Sequence, residues 1–330
     1  MTILIVGTGN IGRRHYENLR RTSPTTRVLV KSRPTSSMPD WLSAADRITE
    51  LDPSELEGFS GAIIASPAPL HHISASPLLK ARVPVLVEKP LADVPAHADM
   101  IIDASVRMNT PLMVGYTLRW YEPLQQLKSL VEAGTVGTPV HLSASVGSHL
   151  ATWRPNMDYR STVSAQRELG GGALLELSHE IDYCLWLLGR PESVAASVRR
   201  SGVIEGDVED MVDLQLSFAD GIAASIHLDL IDRHPHRRCR VVGTEGTLEL
   251  DFLTHELWVT CSSGTRCATF PKLGLNDMYL RQQSRFLAIV DGTVSGTEFA
   301  VDEAVMTART VLDVVDTARR ASITCGTEPL

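Results

Sequence analysis

Apolar residues fill Thr2–Val6 at almost every position, and similar short runs recur at 27–30, 62–65, 83–87 and 112–115, with a weaker one at 47–49. Helix-length stretches at 11–21, 71–81 and 95–107 separate them. Runs that are apolar throughout, rather than at alternate positions, predict strands buried on both faces. Strands that alternate with helices predict a parallel sheet covered on both sides.

From about Trp120 the rhythm changes. A helix at 123–133 leads to a strand at 140–146 and then to a loop rich in Trp, Arg, Asp and Tyr. A single long apolar helix is expected over 173–188, opened by Gly170-Gly171-Gly172 and stopped by Gly189-Arg190-Pro191. Alternating segments at 213–218 and 222–230 joined by Asp220-Gly221 predict one hairpin, and 240–243 with 247–251 around Thr244-Glu245-Gly246 predict another. Helices at 278–290 and 302–321 complete the pattern.

Length fits this change of rhythm, because 330 residues exceed what a single hydrophobic core usually supports. An apolar fraction of 43% and a charged fraction of 21% are those of a globular protein. A net charge of -8 argues against nucleic acid or an anionic membrane as the main partner. The cysteines Cys184, Cys239, Cys261, Cys267 and Cys325 are odd in number and lack zinc or redox spacing, which suggests free thiols. The opening residues lack a basic stretch followed by a cleavage site, and no run reaches membrane-spanning length, so a cytoplasmic location is expected.

Gly7-Thr8-Gly9-Asn10-Ile11-Gly12 follows a strand and opens a helix, the context that gives a G-x-G-x-x-G pattern physical meaning. Gly7 permits the tight turn, Gly9 lets backbone approach a pyrophosphate, and Gly12 lets helix pack on strand, while the helix N-terminus favours phosphate charge. This predicts a nicotinamide dinucleotide. At the end of the second strand, where an acid would bind the adenosine ribose of NAD, the chain reads Val30-Lys31-Ser32-Arg33. A hydroxyl and two cations suit a 2′-phosphate, so NADP is expected, with NAD as the alternative if these are only solvated loop cations.

Glu88-Lys89-Pro90 ends the fifth strand, at the sheet edge where open α/β folds bind ligands. A lysine there can hydrogen-bond a substrate hydroxyl and stabilise developing alkoxide. Glu176, His179 and Asp182 step by three along the expected helix, so one imidazole lies between two carboxylates and could act as a base whose tautomer an acid fixes. Trp153, Arg154, Asp158, Tyr159 and Arg160 supply stacking, charge and hydrogen bonds suited to a polar or anionic sugar. Tyr116 and Arg119 follow the sixth strand; Arg119 could anchor substrate or form an interdomain salt bridge. His234, His236 and Cys239 resemble a metal cluster, but Arg233, Arg237 and Arg238 would repel a cation, and no metal site is expected.

Gly7 to Gly12, Ala65-Ser66-Pro67 with His71-His72, Glu88-Lys89-Pro90, and Gly170-Gly171-Gly172 with His179 and Asp182 occur in one order along the chain. In this the sequence resembles the glucose-fructose oxidoreductase, inositol dehydrogenase and rhizopine-catabolism (Gfo/Idh/MocA) family over essentially its whole length. The resemblance implies an α/β N-terminal Rossmann domain with a doubly wound parallel sheet, here 1–118. It also implies an α+β C-terminal domain with a large, mostly antiparallel sheet, here 119–330, whose last helix at 302–321 could pack back on the first domain. By the same resemblance Lys89 matches the catalytic lysine, and Ser66-Pro67, with His71 and Glu88 beside them, lines the cofactor. The substrate would be a sugar, polyol or sugar-acid carbinol, and a homodimer or homotetramer would form through the C-terminal sheet. The family commonly places an acid four residues before the histidine; here that position is Leu175, so Glu176 stands one position off the pattern. The Trp153 to Arg160 loop and the Glu176 to Tyr183 segment resemble a branch associated with surface-polysaccharide and nonulosonic-acid sugars. The family also reaches non-catalytic regulators that bind nicotinamide nucleotide and sugar, which is the alternative function.

Overall fold

The computed structural model describes residues 1–33, 37–272, 274–294 and 303–324. The chain divides into two compact units, the first made of Met1–Tyr116 and Tyr279–Arg309, the second of Thr117–Met278 and the segment from Thr310.

In the first unit the elements run β1 (Thr2–Val6), α1 (Asn10–Thr22), β2 (Arg27–Lys31), β3 (Arg47–Ile48), β4 (Gly61–Ile64), α2 (His71–Lys80), β5 (Val85–Val87), α3 (Pro95–Met108) and β6 (Leu112–Val114). The sheet order is β3-β2-β1-β4-β5-β6, and every pairing is parallel. This is the doubly wound order, which reverses between β1 and β4 and so opens a crevice beyond their carboxyl ends. Ile3, Leu4, Ile5, Ile63, Ile64 and Leu86 are fully buried, as continuous apolar runs require.

The second unit begins with α4 (Glu122–Glu132) and β7 (Pro139–Gly147), and continues through α5 (Ala173–Glu176) and α6 (His179–Leu188). The strands that follow are β8 (Ser193–Arg199), β9 (Met211–Ser217), β10 (Ala223–Asp229), β11 (His236–Gly243), β12 (Gly246–Asp251), β13 (Glu256–Cys261) and β14 (Gly264–Thr269). Together with β7 they form an eight-stranded sheet ordered β14-β13-β12-β11-β7-β10-β9-β8. Only the β7–β10 pairing is parallel. Both hairpin turns lie as the pattern predicts, with Asp220 at φ 62° and Gly221 at φ 77°.

The chain closes with α7 (Leu275–Val290) and α8 (Glu303–Thr324). The sequence groups α7 with the C-terminal domain, whereas from Tyr279 onward it belongs to the first unit. The reason is packing: a Cβ on Gly61 of β4 would stand 2.7 Å from Val290 and 3.2 Å from Phe286, so the bare glycine lets α7 lie against the parallel sheet. Arg309 of α8 also pairs with Asp99 of α3.

The predicted helix at 173–188 differs from the structure, which breaks it between Glu176 and His179. Ser178 Oγ donates to the Leu175 carbonyl at 2.9 Å, and the Glu180 amide reaches back only three residues, to Leu177 at 3.3 Å. Local bonding of this kind competes with a regular helical ladder. Glu176 therefore belongs to a separate turn from His179 and Asp182, and the even three-residue stepping across one helix face does not hold.

Candidate active site

The first unit gathers its share of the motif residues at the carboxyl edge of β2, β1, β4 and β5. Gly7 has φ 118°, and a Cβ on it would lie 2.5 Å from the Ala65 carbonyl oxygen, so the turns after β1 and β4 touch at the point where strand order reverses. A Cβ on Gly12 would collide with the Gly7 carbonyl. Gly9 differs, since its Cβ would meet nothing within 4 Å. Gly9 is also the N-cap of α1, which has no side-chain cap and no acid in its first turn. Open space, bare backbone amides and a helix N-terminus are what a pyrophosphate needs, so Gly7, Thr8, Gly9, Asn10, Ile11 and Gly12 fit that part of a dinucleotide.

Ser32 and Arg33 follow β2. Ser32 is buried, and its hydroxyl accepts from Arg47 Nε at 2.8 Å. Arg47 also donates to the Arg33 carbonyl at 3.4 Å. Sequence reasoning missed Arg47, whose place beside Ser32 follows from the parallel β2–β3 pairing and not from proximity in the chain.

His71 ties two loops of this edge together. Its Nε2 lies 2.8 Å from the Ser66 carbonyl oxygen and its Nδ1 3.1 Å from that of Pro90. Burial pushes the imidazole pKa down while these carbonyls pull it up. Pro67 precedes the short turn that leads into α2. Lys89 stands half-buried at the end of β5, joined to Pro90 by a cis peptide bond.

Glu88 points the other way, into the core. Its Oε1 lies 2.7 Å from His15 Nε2, and Gln283 of α7 donates to the His15 carbonyl at 3.2 Å. Gly115 leaves room for this carboxylate, as a Cβ there would stand 2.7 Å from Glu88 Oε2. The spacing of Gly12, His15 and Leu19 marks the buried face of α1 and could have singled out this histidine. Tyr116, a few residues beyond β6, is 1% exposed.

The second unit holds the remaining motif residues. His179 is half-buried at the start of α6. Glu176 accepts from Ser164 Oγ at 3.1 Å. Asp182 is held by Arg119 through Nε at 3.0 Å and Nη2 at 2.9 Å, and the guanidinium lies 4.9 Å from the Trp186 ring. The Arg119–Asp182 bridge thus lies within one unit. Arg119 and Asp182 hold one another inside the second unit.

Glu180, also missed, is fully buried and takes both arms of Arg237, at 2.7 and 2.9 Å. Glu209 is buried too and accepts from the Leu174 amide at 3.2 Å. Its carboxyl pKa is raised by burial. Gly172, at φ 102°, leaves space for it, since a Cβ there would stand 2.5 Å from Oε1. The glycine triplet therefore makes room for a buried acid.

The loop after β7 is tied to itself and to the connection between β8 and β9. Trp153 Nε1 donates to Ser148 Oγ at 2.7 Å, Arg160 pairs with Asp158 and Glu205, and the Tyr159 hydroxyl accepts from the Glu205 amide at 2.9 Å. Arg154 is half-buried in the same loop. Burial pushes the thiols of Cys184 and Cys239 up, so both are inert packing residues. Cys325 lies outside the described residues.

Two family models cover most of the chain. Residues 1–116 match the oxidoreductase family with an NAD-binding Rossmann fold, and residues 124–249 match the GFO/IDH/MocA C-terminal domain. The chain belongs to the Gfo/Idh/MocA family. Among Gfo/Idh/MocA relatives, inositol 2-dehydrogenase of Rubrobacter xylanophilus is 25% identical over 254 residues, covering 74% of this chain and 70% of that one. Rhizopine catabolism protein MocA of Rhizobium meliloti is 28% identical over 199 residues, covering 58% and 59%. A solved levoglucosan dehydrogenase in complex with NADH superposes with TM-score 0.82 at 19% identity over 98% of this chain and 97% of that one. An oxidoreductase from Agrobacterium radiobacter, in complex with NAD+, L-tartaric acid and magnesium, gives 0.80 at 19% over 98% and 97%. At such identities these two show a shared fold. The family supports a nicotinamide cofactor and an oxidoreductase. No helix among the described residues is long and apolar enough to cross a membrane.

Proposed function

We propose that this enzyme moves hydride between a nicotinamide and the carbinol carbon of a sugar, polyol or sugar-acid derivative. The carrying observation is the open cradle at Gly9 on the same sheet edge that ends in Lys89. When bound, the nicotinamide supplies or accepts the hydride, and the protein provides position and charge. In the oxidative direction Lys89 Nζ donates a hydrogen bond to the substrate oxygen and stabilises the developing alkoxide, while His179 receives the hydroxyl proton. The names of the inositol and levoglucosan dehydrogenases support a polyhydroxylated substrate. Trp153, Arg154, Tyr159 and Arg160 favour a polar or anionic one.

NADP is the cofactor this reading prefers over NAD. Ser32, Arg33 and Arg47 put a hydroxyl and two guanidinium groups near the end of β2, where a 2′-phosphate would be received. A cytoplasmic location and a homodimer or homotetramer through the outer face of the eight-stranded sheet complete the proposal. That face carries small polar side chains such as Ser143, Ser145 and Ser225, all partly covered. A monomer in sedimentation velocity would remove the oligomer.

Lys89→Ala is the deciding variant. Turnover should fall by about a hundredfold or more, as loss of a proton-handling group does, while fluorescence titration still shows binding of NADPH, and of NADH more weakly. A variant that keeps the wild-type rate overturns the assignment of Lys89, and equal affinity for both nucleotides overturns the preference for NADP.

A further inference from the structure

The reaction proposed above leaves one cluster of titratable side chains unused. β10 ends on Asp229 and β11 begins on His236, and both pair with Gly147, the last residue of β7, which lies between them in the sheet. Strands two apart are separated by about 10 Å of backbone. Their side chains nevertheless meet over Gly147, because a Cβ at that position would collide with Asp229 Oδ2 and stand 2.6 Å from His236 Cε1. Asp232 joins them from the connecting turn. Asp229, Asp232 and His236 each offer one ligand atom, and all three atoms lie within 4.8 Å of one another.

The orientation of each group is held from behind. Asp229 Oδ1 accepts from the amides of Ile231 and Asp232 at 2.9 and 2.7 Å, while Oδ2 faces the cluster and also lies against His227. Asp232 Oδ1 accepts from the His234 amide at 2.7 Å, and its Oδ2 lies 3.1 Å from His236 Nδ1. His227 lies with Nδ1 2.7 Å from Asp213 Oδ1 and Nε2 3.2 Å from Asp229 Oδ2, so a carboxylate-imidazole pair buttresses the buried acid. Ligands that share one ion at about 2.1 Å stand about 3 to 3.5 Å apart, the separation seen between Asp232 and His236. Two of the three arginines that argue against a cation in the sequence are engaged elsewhere, and the third, Arg233, is exposed in the connecting turn. Arg237 holds Glu180 and Arg238 holds Asp251.

We propose that Asp229, Asp232 and His236 form a binding site for a divalent first-row transition ion. Two carboxylates balance its charge, one imidazole favours it over calcium or magnesium, and three protein ligands leave positions open for water or a substrate oxygen. The notion is independent of the hydride reaction, and its test reads ion binding alone.

Untagged full-length protein is stripped with a chelator, desalted, and titrated separately with manganese and zinc chloride. One ion per chain should bind at micromolar free concentration. His236→Gln and Asp232→Asn should each weaken binding at least tenfold, whereas His234→Gln, two residues from His236 and exposed, should not. Electron spin-echo spectra of bound Mn2+ should show imidazole nitrogen coupling that His236→Gln abolishes and His234→Gln retains. Circular dichroism of the metal-free variants checks folding; should Asp232→Asn misfold, the histidine pair decides. Failure of the wild type to bind either ion at millimolar concentration, or equal binding by His236→Gln, overturns the site.

Discussion

Glu88 and His15 meet through Oε1 and Nε2 at 2.7 Å with both side chains withdrawn from solvent. The residue next to the proposed catalytic lysine therefore turns its carboxyl group into the core, onto His15. Loss of the imidazole would leave a buried carboxylate without its main partner.

His15→Ala should cost about 1 to 3 kcal/mol of folding stability, the usual penalty for leaving a buried polar group without its hydrogen-bond partner. Urea denaturation of the variant checks this. A change below about 1 kcal/mol would show that the contact carries no such weight.

Gly9 and Gly12 should separate binding from folding. Gly9→Ala places a methyl in open space, so the melting temperature should hold while nicotinamide nucleotide affinity drops about tenfold or more, or about 1.4 kcal/mol. Gly12→Ala drives a methyl into the Gly7 carbonyl and should lower the melting temperature itself. Calorimetry with and without nucleotide distinguishes the two.

Arg119→Ala should act on stability. The variant leaves Asp182, 1% exposed, without its bidentate partner, so a loss of about 3 to 5 kcal/mol is expected. Whatever folds should keep its KM for substrate. A raised KM with unchanged unfolding midpoint would instead make Arg119 a substrate anchor.

Glu209 should set a pH dependence of the second unit. Burial raises its carboxyl pKa above the unfolded value, so the native state holds the proton longer than the unfolded chain does. Its contribution is then fully present below about pH 4.5, near the unfolded value, and is lost as pH rises through the higher native pKa. Glu209→Gln keeps an acceptor for the Leu174 amide and should gain stability over wild type as pH rises through that window. Paired urea midpoints from acid to neutral pH measure it, and parallel curves would refute the assignment.

Much of the first unit was readable because β1, β4 and β5 are apolar at almost every position and Gly7 to Gly12 has a single structural context. The second unit was read less fully. All six residues of β14 are exposed, so no hydrophobic face announces a strand, and β8 is built from small residues. The break after Glu176 was invisible, since Leu174, Leu175, Leu177 and Ile181 keep a helical spacing on both sides of Ser178. Partners far apart in sequence escaped for a different reason. Asp182 and Arg119 stand 63 residues apart, so the helix spacing that singles out Asp182 gives no sign of the arginine that holds it.

The bare position at Gly61 reaches beyond packing. Phe286 and Val290 cover that spot only after the polypeptide has traced more than two hundred residues, so the dinucleotide-binding body is not a contiguous stretch of sequence. A fragment cut near residue 118 would expose an oily patch on its central sheet and precipitate. Transplanting this body into another protein would need two excised pieces, which makes the gene a poor donor for modular shuffling.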